Sequence, residues 1–271
     1  MEQRRSEREY GAAYSPCFPN AAKSIKPPYR HSTRRKFRRV VCDTLALRVF
    51  FPDSRLAAGR DRRQRWGMTF DPTRKWQMSL EDGTPLVVRS IRPEDRDLIA
   101  EAFRRLSPEA RYFRFWMRVR ELNPRLIESL CTPDQKDHVA WMAMHQTRDD
   151  IPGVGGASFW RLKEEPEAAE VSFTVADEFQ GRGVATLLLA VIWEHALSLG
   201  IKRFVGHVLH ENIAMRAWWD ALGATEQEAP RHWLSTLILD ESLLQDNHTG
   251  NSLRARLAQV RAWMSGNATA L

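Results

Sequence analysis

The stretch that most constrains this chain is DEFQGRGVATLLLAVIWEHALSLG, residues 177–200. It follows AEVSFTVA, a run of β-branched and aromatic residues that predicts a strand ending at Val175. A short turn follows, and good helix formers then run to Leu199, where Gly200 stops the helix. Gly181 and Gly183 thus stand where a strand hands over to a helix. The first turn of a helix has backbone N–H groups without intrahelical partners and carries the positive end of the dipole. Glycine lets a ligand approach that backbone closely, and Arg182 adds a positive charge beside it. Such an arrangement seats a diphosphate. A glycine pair at this position also serves as nothing more than a tight turn. The pattern excludes two other phosphate motifs: the third glycine of the dinucleotide fingerprint is absent, and so is the Gly-Lys-Ser/Thr of a Walker loop.

Around this stretch the chain alternates from about Thr84 onward. PLVVRSIR predicts a strand, and RPEDRDLIAEAFRRLS a helix with Leu98, Ile99, Ala102, Phe103 and Leu106 on one face. Ser107-Pro108-Glu109 and Asn123-Pro124 each open a further helix with a capping side chain and a proline in the first turn. HVAWMAMH, GGASFWRL and AEVSFTVA are successive strands. After the glycine stretch come the strand IKRFVGHVL, the helix ENIAMRAWWDALG and the closing strand HWLSTLILD. This order predicts a mixed α/β layer rather than a doubly wound sheet of repeated βαβ units. SLRARLAQVRAWM carries Leu253, Leu257, Val260 and Met264 at helical spacing, a helix that docks or seeks a partner.

Charge divides the chain. Residues 1–67 hold 14 Arg and 3 Lys against 6 acidic residues, a net of +11, so the remainder carries −4 of the overall +7. Clustered arginines in that segment suit a nucleic acid or another anionic surface; a solvated extension, or translation from a start upstream of Met68, accounts for them without any such partner. The expected division is a basic extension over residues 1–75, a domain over 84–240, and a linker with a helix over 241–271. No run of 18 apolar residues predicts a membrane span, and the first residues lack a secretory core. Cys17, Cys42 and Cys131 are odd in number and far apart, so neither a disulfide framework nor a metal site is expected, and the default setting is cytoplasmic.

Gln180-Gly181-Arg182-Gly183-Val184-Ala185 fits the Gln/Arg-x-x-Gly-x-Gly/Ala signature and resembles the GNAT superfamily of acyl-CoA N-acyltransferases. ENIAMRAWWDALGA resembles the segment of that superfamily in which an Asn opens a helix ending in Leu-Gly-Phe. IRPEDRDLIAEAFRRLSPEARYFRFW resembles the start of the acetyltransferase domain of Pat-type bacterial protein lysine acetyltransferases. The resemblance spans roughly residues 86–240. It implies a central, mostly antiparallel sheet with two splayed parallel strands and flanking helices. Acetyl-CoA is the implied co-substrate, with no metal, and a primary amine is the implied acceptor: a protein lysine, or a small amine such as a polyamine. The alternatives from another class are a CoA-binding sensor without catalysis and a nucleic-acid-binding factor that uses the basic extension.

Residue by residue, the resemblance implies that Phe173, Thr174 and Val175 offer main-chain groups to the pantetheine arm. Gly181, Arg182, Gly183, Val184, Ala185 and Thr186 hold the pyrophosphate, and Asn212 contacts the cofactor. Asn212 is also a favoured helix cap. Acyl transfer requires a neutral amine, hence a group that takes a proton. Glu170 matches the glutamate base of Pat-type enzymes, and reads otherwise as a solvent-facing carboxylate at a strand. His207, one strand over, is the second candidate, or a structural histidine. Many members place a tyrosine seven residues after the Asn to protonate the departing thiolate. Here that position is Trp219, which has no acidic proton to give.

Overall fold

The computed structural model describes residues 71–265. Eight strands form one sheet: β1 (Lys75–Ser79), β2 (Pro85–Ser90), β3 (His138–His145), β4 (Gly155–Arg161), β5 (Ala168–Val175), β6 (Arg203–Leu209), β7 (Thr225–Ala229) and β8 (His232–Ile238). Their order across the sheet is β1-β2-β3-β4-β5-β6-β8-β7. Every neighbouring pair is antiparallel except β5 and β6. Six α-helices accompany the sheet: α1 (Arg96–Arg105), α2 (Pro108–Phe115), α3 (Pro124–Cys131), α4 (Val184–Ser198), α5 (Ile213–Leu222) and α6 (His248–Met264). The mixed α/β layer expected from the order of elements is the architecture found.

The helix starts follow local chemistry. Ser107 caps α2 by accepting from the Ala110 N–H at 3.1 Å, and Asn123 caps α3 by accepting from the Leu126 N–H at 2.8 Å. The Ser107 hydroxyl and N–H also donate to the two carboxylate oxygens of Asp177, at 2.6 and 2.8 Å. That clamp fixes the start of α2 to the turn that precedes the glycine stretch.

α4 lacks the single apolar stripe of a surface helix. It is apolar on all sides and is buried from Val184 to Ala196 apart from Ala185. The reason is that it lies between two layers, with β3, β4 and β5 on one side and α6 on the other. α6 covers it with Leu253, Leu257 and Val260, all fully buried, so this helix is docked. Glu194 of α4 is nearly buried and accepts from the Arg261 guanidinium at 2.8–2.9 Å, which neutralises the one acidic side chain on that seam.

Two edge strands were not visible in the sequence pattern. β1 begins at Lys75, ahead of the Thr84 start expected for the domain. It is secured by Trp76, 1% exposed, whose ring lies 3.7 Å from that of Trp263 in α6 and 5.6 Å from that of Trp141. β7, TEQEA, is too short and polar to announce itself. It makes β8 an interior strand instead of the closing one. Charges on an outer strand protect an open sheet edge.

Candidate functional site

β5 and β6 run parallel but pair only over Ala168–Arg203, Ala169–Phe204 and Glu170–Val205. Beyond Glu170 they part. β5 stays on β4, with Ala157 opposite Phe173, Gly156 opposite Thr174 and Gly155 opposite Val175. β6 stays on β8 as far as Leu209. The β6-facing edge of β5 from Val171 to Val175 therefore has no strand partner among the described residues. Parted backbones leave peptide groups that must bond to something else. One is already used: the Val175 carbonyl accepts from the Gln180 side-chain amide at 3.3 Å.

A cleft of about 1170 Å³ passes through this fork. At one end lies the glycine loop. Gly181 and Gly183 have φ of +72° and +84°, so both glycines meet a backbone requirement. A Cβ built on either one meets no atom within 4 Å, so the space in front of each is open. The turn is left-handed, and the space on its outer face is open. The first backbone bond of α4 runs from Leu187 N–H to the Gly183 carbonyl at 2.9 Å. The N–H groups of Val184, Ala185 and Thr186 precede it, and these residues line the cleft.

The remaining members of the expected cofactor set gather here. Thr186 accepts through its hydroxyl from the Trp218 indole N–H at 3.2 Å, and Trp218 meets Phe173 edge-on at 5.2 Å. Asn212 lines the cleft and caps α5, accepting from the Met215 N–H at 3.2 Å. Arg182 behaves differently from a free cation. Its Nε donates to the Asp82 carboxylate at 2.7 Å and its Nη2 to the Thr84 hydroxyl at 2.5 Å, both on the turn between β1 and β2. Trp219 is 2% exposed and fills the place a side chain at Gly206 would need, since a Cβ there would lie 2.7 Å from its Cζ2. It packs.

At the other end, Glu170 is the last residue of β5 with a partner on β6. Its register opposite Val205 puts it on the same sheet face as His207, two residues further along β6. α2 lies against β5 and brings Phe113, Arg114 and Trp116 to the cleft. Arg114 lies within the field of Glu170; burial lowers its pKa and Glu170 works against that shift. Arg111 instead donates to the carbonyls of Leu106 and Arg104 at 2.9 Å each, a structural clamp. Tyr112 donates to Glu211 at 2.9 Å and closes α2 onto the loop before α5.

His207 Nδ1 lies 3.0 Å from His232 Nε2. The antiparallel register of β6 and β8 creates that contact, with His207 opposite Leu234 and His232 opposite Leu209. The pKa of His232 is lowered by burial first, and then by His207 and His210. Trp116 covers the pair, its ring 5.0 Å from His232 and 6.3 Å from His207. Trp116 holds φ of +58°, a left-handed conformation unusual for a bulky residue. Sequence reasoning singled out neither His232 nor this backbone state; the histidine sits at the start of HWLSTLILD with no motif around it.

Among the described residues, no group of three or more His, Cys, Asp or Glu side chains is arranged to hold a metal ion. Cys131 is buried, and burial pushes its thiol up to about 11, which keeps it inert. No helix of the described residues is long and apolar enough to cross a membrane. The arginine cluster and its expected anionic partner lie outside the described residues.

The acetyltransferase (GNAT) domain family matches residues 86–225. Acetyltransferase PA5475 of Pseudomonas aeruginosa is 31% identical over 155 residues, covering 57% of this chain and 83% of that protein. Acetyltransferase Pat of Mycolicibacterium smegmatis is 33% identical over 147 residues, covering 54% of this chain but only 43% of the longer relative. Among solved structures, the GNAT domain of S. lividans PAT superposes with a TM-score of 0.56 at 25% identity, over 60% of this chain and 96% of that one. The forked sheet, the left-handed glycine loop and the matched sequence agree: this chain belongs to the GNAT acetyltransferase family.

Proposed function

We propose that the protein transfers an acetyl group from acetyl-CoA to a protein lysine, with Glu170 taking the proton from the attacking amine. The observation that carries this reading is the position of Glu170. It is the last paired residue before the fork, and the same cleft continues to the glycine loop. A thioester whose pantetheine arm follows the open edge of β5, and whose pyrophosphate meets the α4 N-terminus, presents its carbonyl near that carboxylate. The amine nitrogen attacks the carbonyl carbon, the C–N bond forms and the C–S bond breaks. Glu170 accepts the proton the amine loses. The thiolate, with a parent thiol pKa of about 8.5, leaves without the tyrosine that Trp219 replaces.

The choice of lysine over a small amine rests on the resemblance of IRPEDRDLIAEAFRRLSPEARYFRFW to Pat-type protein lysine acetyltransferases. Phe113, Trp116 and Trp160 line the same cleft as Glu170. An alkyl chain ending in an amine matches that chemistry. The second reading, a small polyamine acceptor, shares the cleft. Release of free thiol from acetyl-CoA separates the two, measured with lysine peptides and with polyamines as acceptors. Glu170→Gln is expected to lower turnover on the true acceptor by about 10²–10⁴-fold with little change in acetyl-CoA affinity. His207→Gln costs less if His207 orients and does not abstract. A collapse for His207→Gln with near-normal Glu170→Gln moves the base role to the histidine.

A further inference from the structure

The cofactor cleft has a wall that the matched family domain does not supply. Residues 86–225 contain the fork and the glycine loop. The turn between β1 and β2 lies before that span and α6 lies after it, yet Glu81, Asp82 and Ser252 line the same cleft as Gly181–Thr186. The turn is fixed on all sides. Leu80 and Thr84 close it with an N–H to carbonyl bond of 3.0 Å, and Gly83 at φ +84° makes the reversal. Ser252 of α6 donates to Glu81 at 3.0 Å, and Arg256 of α6 donates to the Ser79 carbonyl at 2.9 Å. These bonds hold Asp82 toward Arg182. Its Oδ1 accepts from the Thr84 N–H at 2.9 Å, and its Oδ2 meets both Nε and Nη2 of Arg182 at 2.7 Å.

That contact is unexpected for a phosphate seat. Arg182 is the cation of the Gln-Gly-Arg-Gly loop, and its guanidinium is already matched by a carboxylate. We propose that Asp82 is an acidic occupant of the phosphate seat, which the phosphates of acetyl-CoA must displace from Arg182, so that Asp82 sets the affinity for the co-substrate. This inference rests on the reading of the glycine loop as the pyrophosphate seat.

The exchange is physically easy. The side chains of Arg182 and Asp82 are 35% and 43% exposed, and ion pairs this open to water are weak. The pyrophosphate offers the planar guanidinium two oxygens, as the carboxylate does, and its other oxygens meet the unpaired N–H groups at the start of α4, so it replaces Asp82 once seated. Asp82 is ionised throughout the working pH range: the Thr84 side chain and N–H, then Arg182, hold its carboxyl down at about 2. The opposition is thus permanent rather than pH-gated.

The test compares two acyl donors on the full chain. Acetyl-CoA carries the phosphates; S-acetylpantetheine has the same thioester and arm without them. Asp82→Asn is expected to tighten acetyl-CoA about two- to tenfold by calorimetry at low ionic strength, with the gain fading as salt rises. The ratio of its kcat/KM for acetyl-CoA to that for S-acetylpantetheine is expected to rise by a similar factor. Weaker or unchanged acetyl-CoA binding overturns the proposal, because Asp82 then aims Arg182 or only ties down the turn. Equal changes with both donors also overturn it, since the effect is then structural. The companion pair Gly183→Asp and Gly183→Asn reports on the seat itself. If that pair binds acetyl-CoA alike, the seat lies elsewhere and both readings fall; if it separates while Asp82→Asn does not tighten binding, only the role of Asp82 falls.

Discussion

Replacing Gly183 by Asp and by Asn probes the phosphate seat with the backbone held constant. Gly183 sits at φ +84° as the N-cap of α4, so any side chain there pays for a left-handed backbone. Asn and Asp are the two that tolerate it best, at similar cost. Either Cβ enters open space, because nothing lies within 4 Å of it. As a helix cap the two are also near equals, and the carboxylate gains slightly from the dipole. The aspartate variant should therefore be at least as stable as the asparagine one. What separates them is one negative charge facing a phosphate. At ~4 Å and an effective dielectric of about 20 the repulsion is roughly 4 kcal/mol. Water in the open cleft reduces this to about 2–4 kcal/mol, or roughly 30- to 1000-fold in affinity. Calorimetric titration with acetyl-CoA at low and high salt reads the difference directly. Gly183→Asp should bind far more weakly than Gly183→Asn, with the gap narrowing as salt is raised and with matching melting temperatures. Equal affinities would refute the seat.

Other outcomes follow from packing and burial. Gly206→Ala drives a methyl to 2.7 Å from Trp219 Cζ2 and should cost about 1–3 kcal/mol in urea unfolding, because Trp219 is enclosed and has nowhere to move. His195 and His138 are held neutral, chiefly by burial, with pKa values lowered to about 3 and about 4. A histidine whose folded pKa is depressed stabilises fully above its unfolded value near 6.5 and loses that contribution as pH falls toward the folded value. Stability should therefore drop by about 2 kcal/mol per histidine between about pH 6.5 and about pH 5. His195→Gln, which keeps an acceptor for the Trp141 indole N–H now 3.1 Å from His195 Nδ1, should remove about half of that slope. An unchanged slope in this variant would show that His195 does not carry it.

What was legible in the sequence was what local chemistry determines. Ser107 and Asn123 announced their helices because a cap acts within three residues, and GRG announced its turn because only the backbone there needs glycine. The fork was legible only through resemblance, since nothing in AEVSFTV or IKRFVGHVL says that the two strands part after Glu170. Contacts set by distant register stayed hidden. His207 meets His232 across an antiparallel pair, and Arg182 meets Asp82 one hundred residues earlier in the chain. The all-apolar surface of α4 carried a signal of burial on both sides, although its meaning depended on α6 closing over it. β1 and β7 were silent for opposite reasons. β1 depends on Trp76 finding Trp141 and Trp263, and β7 is an edge whose polar residues resemble a loop.

A cell extract is incubated with deuterium-labelled acetyl-CoA and either the wild-type protein or Glu170→Gln, and labelled acetyl groups on proteins and small amines are mapped by mass spectrometry. Label is expected on lysine side chains of a limited set of proteins with the wild type, with near-complete loss for Glu170→Gln. Equal labelling by both proteins, or label confined to small amines, would contradict the proposed reaction.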